Sequence, residues 1–314
     1  MRPLLIAVMA VNLAACGGVS DFRNGVPSAK QVALKLPEAA SSGLSGVGTR
    51  RDGLEGETAE FYKLTRATTV LVNGGTALIL ETVARITSYP ATTVGNDSAT
   101  WGPYTDALSP DTWKLTVTRT ADADTYEYRL EGKGKAEADS AYRIVLSGTH
   151  HHAGDNLGNG TFLIDWDEAA QLPEHADLVG TANITYSRPT LSSDIDIEVA
   201  FNQIYSADKN QRVDAHYNYH STNAAGGNFQ FDVYQDFVGG SGIEHAKMRS
   251  RWQQDGAGRT DARMTDGDVT GELTANECWD SSFLSRYLNY SWDTSQNYGT
   301  ETTCAFTVAE YSTL

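Results

Sequence analysis

Three consecutive histidines, His150-His151-His152, with Asp155 just after them, are the strongest local chemical signal in the chain. On an extended strand alternate residues share a face, so His150 and His152 point the same way, and a nearby carboxylate would extend them toward a metal site. No fourth ligand can be named, and neutral imidazoles at a strand end serve equally as hydrated surface groups. Asp194, Asp196 and Glu198 form a second cluster. A spacing of two sets them about 7 Å apart along one strand face, and paired carboxylates can perform glycosidic acid–base chemistry. Basic residues on neighbouring segments (Arg212, His216, Lys247, Arg249, Arg251) favour ordinary surface pairing instead. His216 and His220 face water in the same pattern. Residues 155–160, Asp-Asn-Leu-Gly-Asn-Gly, lack the acidic spacing and terminal Glu of a calcium loop and read as a hairpin turn. There is no Gly-x-Ser-x-Gly elbow, phosphate-binding loop or dinucleotide fingerprint. No catalytic residue and no cofactor is assigned.

The elements that would carry these residues are strands. Between residues 113 and 275 apolar and polar side chains alternate in short segments closed by Gly/Asn/Asp turns, as in Ile195-Ile197-Val199-Phe201 against Asp194-Asp196-Glu198. A period of two gives each strand a dry and a wet face, and the segments add up to about eleven strands joined by short, antiparallel connections. A further strand is expected near 302–308. Ahead of the ladder, residues 57–88 read as a helix, with Phe61, Leu64, Thr68, Leu71, Gly75, Leu78 and Thr82 at three-four spacing. Adjacent Gly74 and Gly75 cost about 2 kcal/mol in a helix interior; they either split the helix or let its backbone press on a sheet. Residues 89–111 read as a loop whose Trp101 and Tyr104 either frame a ligand mouth or pin the loop to the core.

Composition narrows the partners. The chain of 314 residues is 40% hydrophobic and carries 40 acidic against 24 basic residues, a formal net charge of -16. Nucleic acid is excluded as a partner, because its affinity comes from Lys and Arg neutralising phosphates. Of three cysteines, Cys278 and Cys304 remain as a pair near the end of the sequence. In an exported protein they suggest one disulfide, the alternative being two separate buried thiols.

The third, Cys16, closes a leader. Residues 1–15 have a basic start, Arg2, then an apolar stretch too short to span a bilayer, and read as a signal peptide. Leu13-Ala14-Ala15-Cys16 resembles the lipobox of bacterial lipoproteins. That resemblance implies diacylglycerol on the Cys16 sulfur, cleavage before it, and a stable anchor from two or three acyl chains. Gly17 in the following position implies sorting to the outer membrane. Residues 16–56, rich in Gly, Ser and Ala, read as a flexible tether reaching about 35 Å, with a short ordered piece at 26–37.

These readings give a mainly β (α+β) chain: signal peptide 1–15, lipidated Cys16 and tether 16–56, and one β-rich domain 57–314. The domain is expected as a large curved antiparallel sheet or half-barrel of about eleven strands wrapping one N-terminal apolar helix, with a disulfide-stapled C-terminal tail. In architecture it looks like the half-barrel-plus-helix shape of bacterial lipoprotein carriers and receptors, which shelter acyl chains. The likeness implies an outer-membrane-anchored lipoprotein, facing the periplasm or the cell surface, that binds an apolar ligand or an envelope partner, the ligand lying near Leu71, Leu78, Trp101 and Tyr104. The alternative is a structural or interaction lipoprotein with a filled core; a hydrolase is a distant third.

Overall fold

The structure, a computed structural model, describes residues 22–37 and 55–314 except 123, 176–177, 207–210 and 223–224. The leader and Cys16 lie outside the described residues. Beyond the helical segment the chain forms one antiparallel sheet of fifteen strands, each paired with its sequence neighbours, in the order β1 to β15. The first eight are β1 (Thr93–Val94), β2 (Ser98–Tyr104), β3 (Asp111–Arg119), β4 (Thr125–Gly134), β5 (Arg143–Gly154), β6 (Leu157–Asp165), β7 (Thr181–Arg188) and β8 (Ile195–Ser206). The rest are β9 (Gln211–Thr222), β10 (Gly226–Gln235), β11 (Glu244–Trp252), β12 (Gly258–Asp266), β13 (Leu273–Trp279), β14 (Ser285–Tyr290) and β15 (Tyr298–Gly299). The sheet does not close, since β1 and β15 stand at its two ends. Alternation works as expected: Tyr126, Tyr128 and Leu130 of β4, and Ile197, Val199 and Phe201 of β8, are buried on one side.

Fifteen strands replace the expected eleven. β1 and β2 arise in the segment read as a loop, where Gly102 and Pro103 hide the period. Gly102 has φ +101, and a Cβ on it would lie 2.5 Å from the Trp113 carbonyl oxygen, at the register shift between β2 and β3. β14 and β15 add the far edge. No strand forms at 302–308; Glu301–Thr303 is a 3-10 turn and the tail crosses the outer face of the sheet.

The helix α1 (Glu60–Ser88) has 29 residues, about 44 Å of rod, and runs unbroken through Gly74 and Gly75. Gly74 has nothing within 4 Å of a Cβ position, so it neither breaks the helix nor presses on the sheet. Beside it, Asn73 clasps another segment: its Oδ1 accepts from Leu34 N at 2.8 Å and its Nδ2 donates to Leu34 O at 2.9 Å. The buried stripe is Tyr62, Thr65, Thr69, Val72, Thr76, Leu80, Val83 and Thr87, one register away from the expected one, and Leu64, Val70 and Leu71 face water. The threonines can be buried because their hydroxyls donate to carbonyls one turn back, as Thr69 does to Thr65 and Thr76 to Val72.

The start of α1 is capped from another element. Ala59 offers no side-chain cap; instead the carboxylate of buried Glu277, on β13, accepts from Glu60 N at 3.2 Å, Phe61 N at 2.6 Å and the Ser285 hydroxyl at 2.7 Å. Burial pushes the Glu277 pKa up while these donors pull it down. Tyr62 stacks on Phe283, ring centroids 4.4 Å apart, and lies against Trp279. Residues 56–59 run antiparallel to 283–285, with Thr58 bridging Leu284.

Residues 22–37, which include the short ordered piece expected at 26–37, depart from a flexible tether. They form a strap packed into the same core, with Phe22, Val32 and Leu34 buried. The strap is tied to the β5–β6 turn (Gln31 Nε2 to Leu157 O, 3.0 Å), to β9 (Tyr219 hydroxyl to Lys35 O, 2.7 Å) and to α1 (Tyr62 hydroxyl to Pro37 O, 3.1 Å). Gly25 makes this possible, since a Cβ there would meet Tyr126 and Val117 at 2.7 Å.

On the outer face the tail is held by the Cys278–Cys304 disulfide, 26 residues apart in sequence, as expected of the pair. Arg259 and Asp261, both fully buried, lie beneath it. Arg259 pairs with Asp261 at 2.6 Å and with Glu301 at 2.6 Å; Arg251 pairs with Asp261 and with Glu310, each at 2.8 Å. Lys247 Nζ donates to the Leu314 carbonyl oxygen. Removing the disulfide (Cys278→Ser) should lower stability by about 3.5 kcal/mol in the chain-entropy model, read as a drop in melting temperature without reductant; equal melting of variant and parent would refute this. Glu277→Ala should cost about 1–3 kcal/mol by orphaning the helix N–H groups, read as a shift in the urea midpoint.

Candidate functional site

An apolar space lies where the start of α1 and the end of the strap meet β11 and β13, and it is filled. Where Leu36, Pro37, Tyr62, Thr65, Trp252, Trp279 and Phe283 converge, the cavity is about 10 Å³, no more than one water needs. Leu71 is 76% exposed, on the helix side turned away from the sheet. Leu78 lies on α1, and its side chain is outside the described residues. Trp101 is 0% exposed and its indole donates to Tyr89 O at 3.0 Å. Tyr104 donates to Pro90 O at 2.9 Å. The two aromatics pin the chain as it leaves α1 rather than frame a mouth. Of the residues expected around one ligand, Leu71 therefore faces water while Trp101 lies in the core.

The histidines separate in the same way. His150 faces the core at 1% exposure, its Nδ1 2.7 Å from the Tyr186 hydroxyl. His152 shares that side, ring centroids 6.0 Å apart, while His151 faces outward beside the Thr125 hydroxyl at 3.0 Å. Asp155 is exposed in the turn. Among the described residues no group of three or more His, Cys, Asp or Glu is placed to hold a metal, so the trio His150, His152 and Asp155 does not form a site. Burial, then the neighbouring His152 and His151, lowers the His150 pKa to about 4; it sits in the fold as a neutral hydrogen-bonding partner.

The acidic row is paired, though not by the residues expected. His220 Nδ1 lies 2.6 Å from Asp196 Oδ1, and its Nε2 3.8 Å from Asp194. Arg212 reaches Asp167, at 3.4 Å. The expected cations of β11 serve the tail and Asp232 instead: Arg249 pairs with Glu310 at 3.3 Å and Lys247 with Asp232 at 3.6 Å. No carboxylate pair flanks a cleft in this row.

Two open concavities among the described residues lie on the outer face, over β3 to β6. One hollow of about 540 Å³ is lined by Tyr142, Arg143, Ile144, Ser147, Leu163 and Glu168. A second, about 360 Å³, shares Ile144 and Ser147 and adds Thr116, Thr118, Arg129 and Thr149. Their bordering cations are already neutralised, Arg143 by Glu168 at 3.0 Å and Arg129 by Glu131 at 3.3 Å. A surface of hydroxyls, one tyrosine, paired charges and the apolar Ile144 and Leu163 suits mixed polar and apolar contact with another molecule, and no nucleophile–base pair is placed among these residues.

Comparisons with protein-family models, curated proteins and solved structures give no match to this chain. Among the described residues, no helix is long and apolar enough to cross a membrane.

Of the strap, sequence reasoning expected only a short ordered piece at 26–37; it missed the reach back to Phe22 and the packing into the core, as well as the Glu277 cap and the Arg259–Asp261 pair. His150 makes stability depend on pH with a defined sign. The unfolded imidazole takes a proton near pH 6.5 and the folded one near 4, so the contribution is complete above 6.5 and lost as pH falls toward 4. The parent should lose about 2.5 kcal/mol more than His150→Gln between pH 7.5 and 4.5, measured by urea unfolding at both pH values; parallel profiles would refute the assignment.

Proposed function

We propose that this chain is a lipoprotein anchored at the outer membrane through Cys16 whose folded domain works as an interaction or scaffold module, contacting envelope partners with its outside. The observation that carries this reading is the occupied inner side: helix and strap stand where a sheltered acyl chain would have to lie, leaving about 10 Å³ where they meet β11 and β13. A carrier needs a cavity of several hundred Å³. The open hollows over β3 to β6 support an outward-facing role, as their mixed lining of hydroxyls, paired charges and Ile144 suits contact with a protein partner.

Two measurements test the proposal. Membrane-purified native protein, extracted with organic solvent and examined by mass spectrometry, should release no stoichiometric lipid beyond chains covalently held on Cys16; a stoichiometric free lipid would restore the carrier. Cys16→Ser should move the protein from the membrane to the soluble fraction, and continued pelleting with membranes would remove the anchor.

A further inference from the structure

We infer that the domain stands on the bilayer on one particular end of its sheet: the end that carries the turns at 120–124, 153–156 and 189–194 meets the lipid headgroups. This rests on the anchor at Cys16 and adds an orientation to it. In a meander of antiparallel strands, the turns after β3, β5 and β7 all fall at the same end, and those after β2, β4, β6 and β10 at the other. Phe22, the first described residue, is fixed at the first of these ends. Its ring meets Tyr126, the second residue of β4, with centroids 6.3 Å apart, and the guanidinium of Arg119, the last residue of β3, sits 5.1 Å above it. Arg23 is held as well, its Nη2 donating to Tyr89 O at 3.1 Å.

Chain length does the rest. Cys16 and Phe22 are six residues apart in sequence, which spans at most about 21 Å even when fully extended. β3 has nine residues, so its far end lies about 27 Å from Arg119. An acyl anchor on Cys16 therefore reaches the Phe22 end and falls short of the loop at 105–110 that precedes β3, and the 236–243 loop lies at that same far end of the strands. The surface so placed carries Asp122, Asp124, Asp155, Asp194 and Asp196 against Arg23, Lys30, Arg119 and Arg188. With its cations outnumbered by carboxylates it is weakly drawn to anionic lipid, so the short leash, rather than attraction, sets the orientation. The exposed apolar residues Phe237, Val238 and Ile243 of the β10–β11 loop then point away from the anchoring membrane.

The test uses lipidated full-length protein in phosphatidylcholine vesicles that carry a headgroup-bound nickel quencher. A fluorophore is placed on Asp122→Cys, Ser192→Cys or Ser241→Cys, all exposed positions. Quenching should be severalfold stronger at 122 and 192 than at 241; equal or reversed quenching in protein that floats with the vesicles overturns the orientation while leaving the anchor intact. The mass of the N-terminal peptide from the same preparation separates the two: absence of acyl mass on Cys16 overturns the anchor and, with it, the orientation. Inserting a 20-residue Gly/Ser linker (about 25 Å of added reach) between Ser20 and Asp21 should erase most of the contrast. A contrast unchanged by the linker overturns the leash as its cause.

Discussion

An antiparallel sheet that does not close exposes its whole apolar side unless something lies across it, and that requirement governs this molecule. A single helix is only about 10–12 Å across, too narrow for fifteen strands. The inner side is therefore shared by α1 and by the strap of residues 22–37, which the paired hydrogen bonds between Asn73 and Leu34 join into one layer. Each large side chain buried there stabilises the fold by about 1.5–3 kcal/mol. The helix is also fixed at both ends. Glu277 holds its first turn against β13, and Trp101 and Tyr104 hold the chain that leaves its last turn. The rod thus links late strands to early ones.

The two halves of the sheet are covered differently on the outside. Over β10 to β14 the tail lies against a buried charge cluster that would be costly if any member were removed. Asp261 accepts from Arg259, Arg251, Asn276 and the Glu310 main-chain nitrogen, so its full burial is matched by donors on every side. Over β5 to β9 the tail is absent, and side chains such as Thr149, Thr161, Asn183 and Thr185 meet water directly. Whatever contact this domain makes with another molecule has that uncovered half available to it, whereas the tail occupies the other.

Much of the ladder could be read from the chain, because strands such as β8 and β9 have one dry and one wet side and a period of two is hard to mistake. Cysteine arithmetic was enough for the disulfide. The helix was readable as a helix, but its buried side was not: Thr65, Thr69, Thr76 and Thr87 look polar in a sequence and behave as core only because each has a carbonyl one turn back. The strap has no period at all, and its order depends on partners as distant as Tyr219, 184 residues from Lys35. Glu277, Arg259 and Asp261 look like the surface charges around them until the helix end and the tail are seen to lie on top. Exposure was no more legible along the chain, since the fold gives Leu71 and Trp101 opposite environments.

One consequence of this chain order concerns synthesis. Hairpins formed only between sequence neighbours favour quick local assembly, and a chain is made from its N-terminus. The strap and α1 are therefore produced first, while Glu277, Phe283 and Leu284, which receive the helix, come some two hundred residues later. For all that interval the apolar rod has no complete shelter, and it is the segment of this protein that a holding chaperone would have most reason to grip.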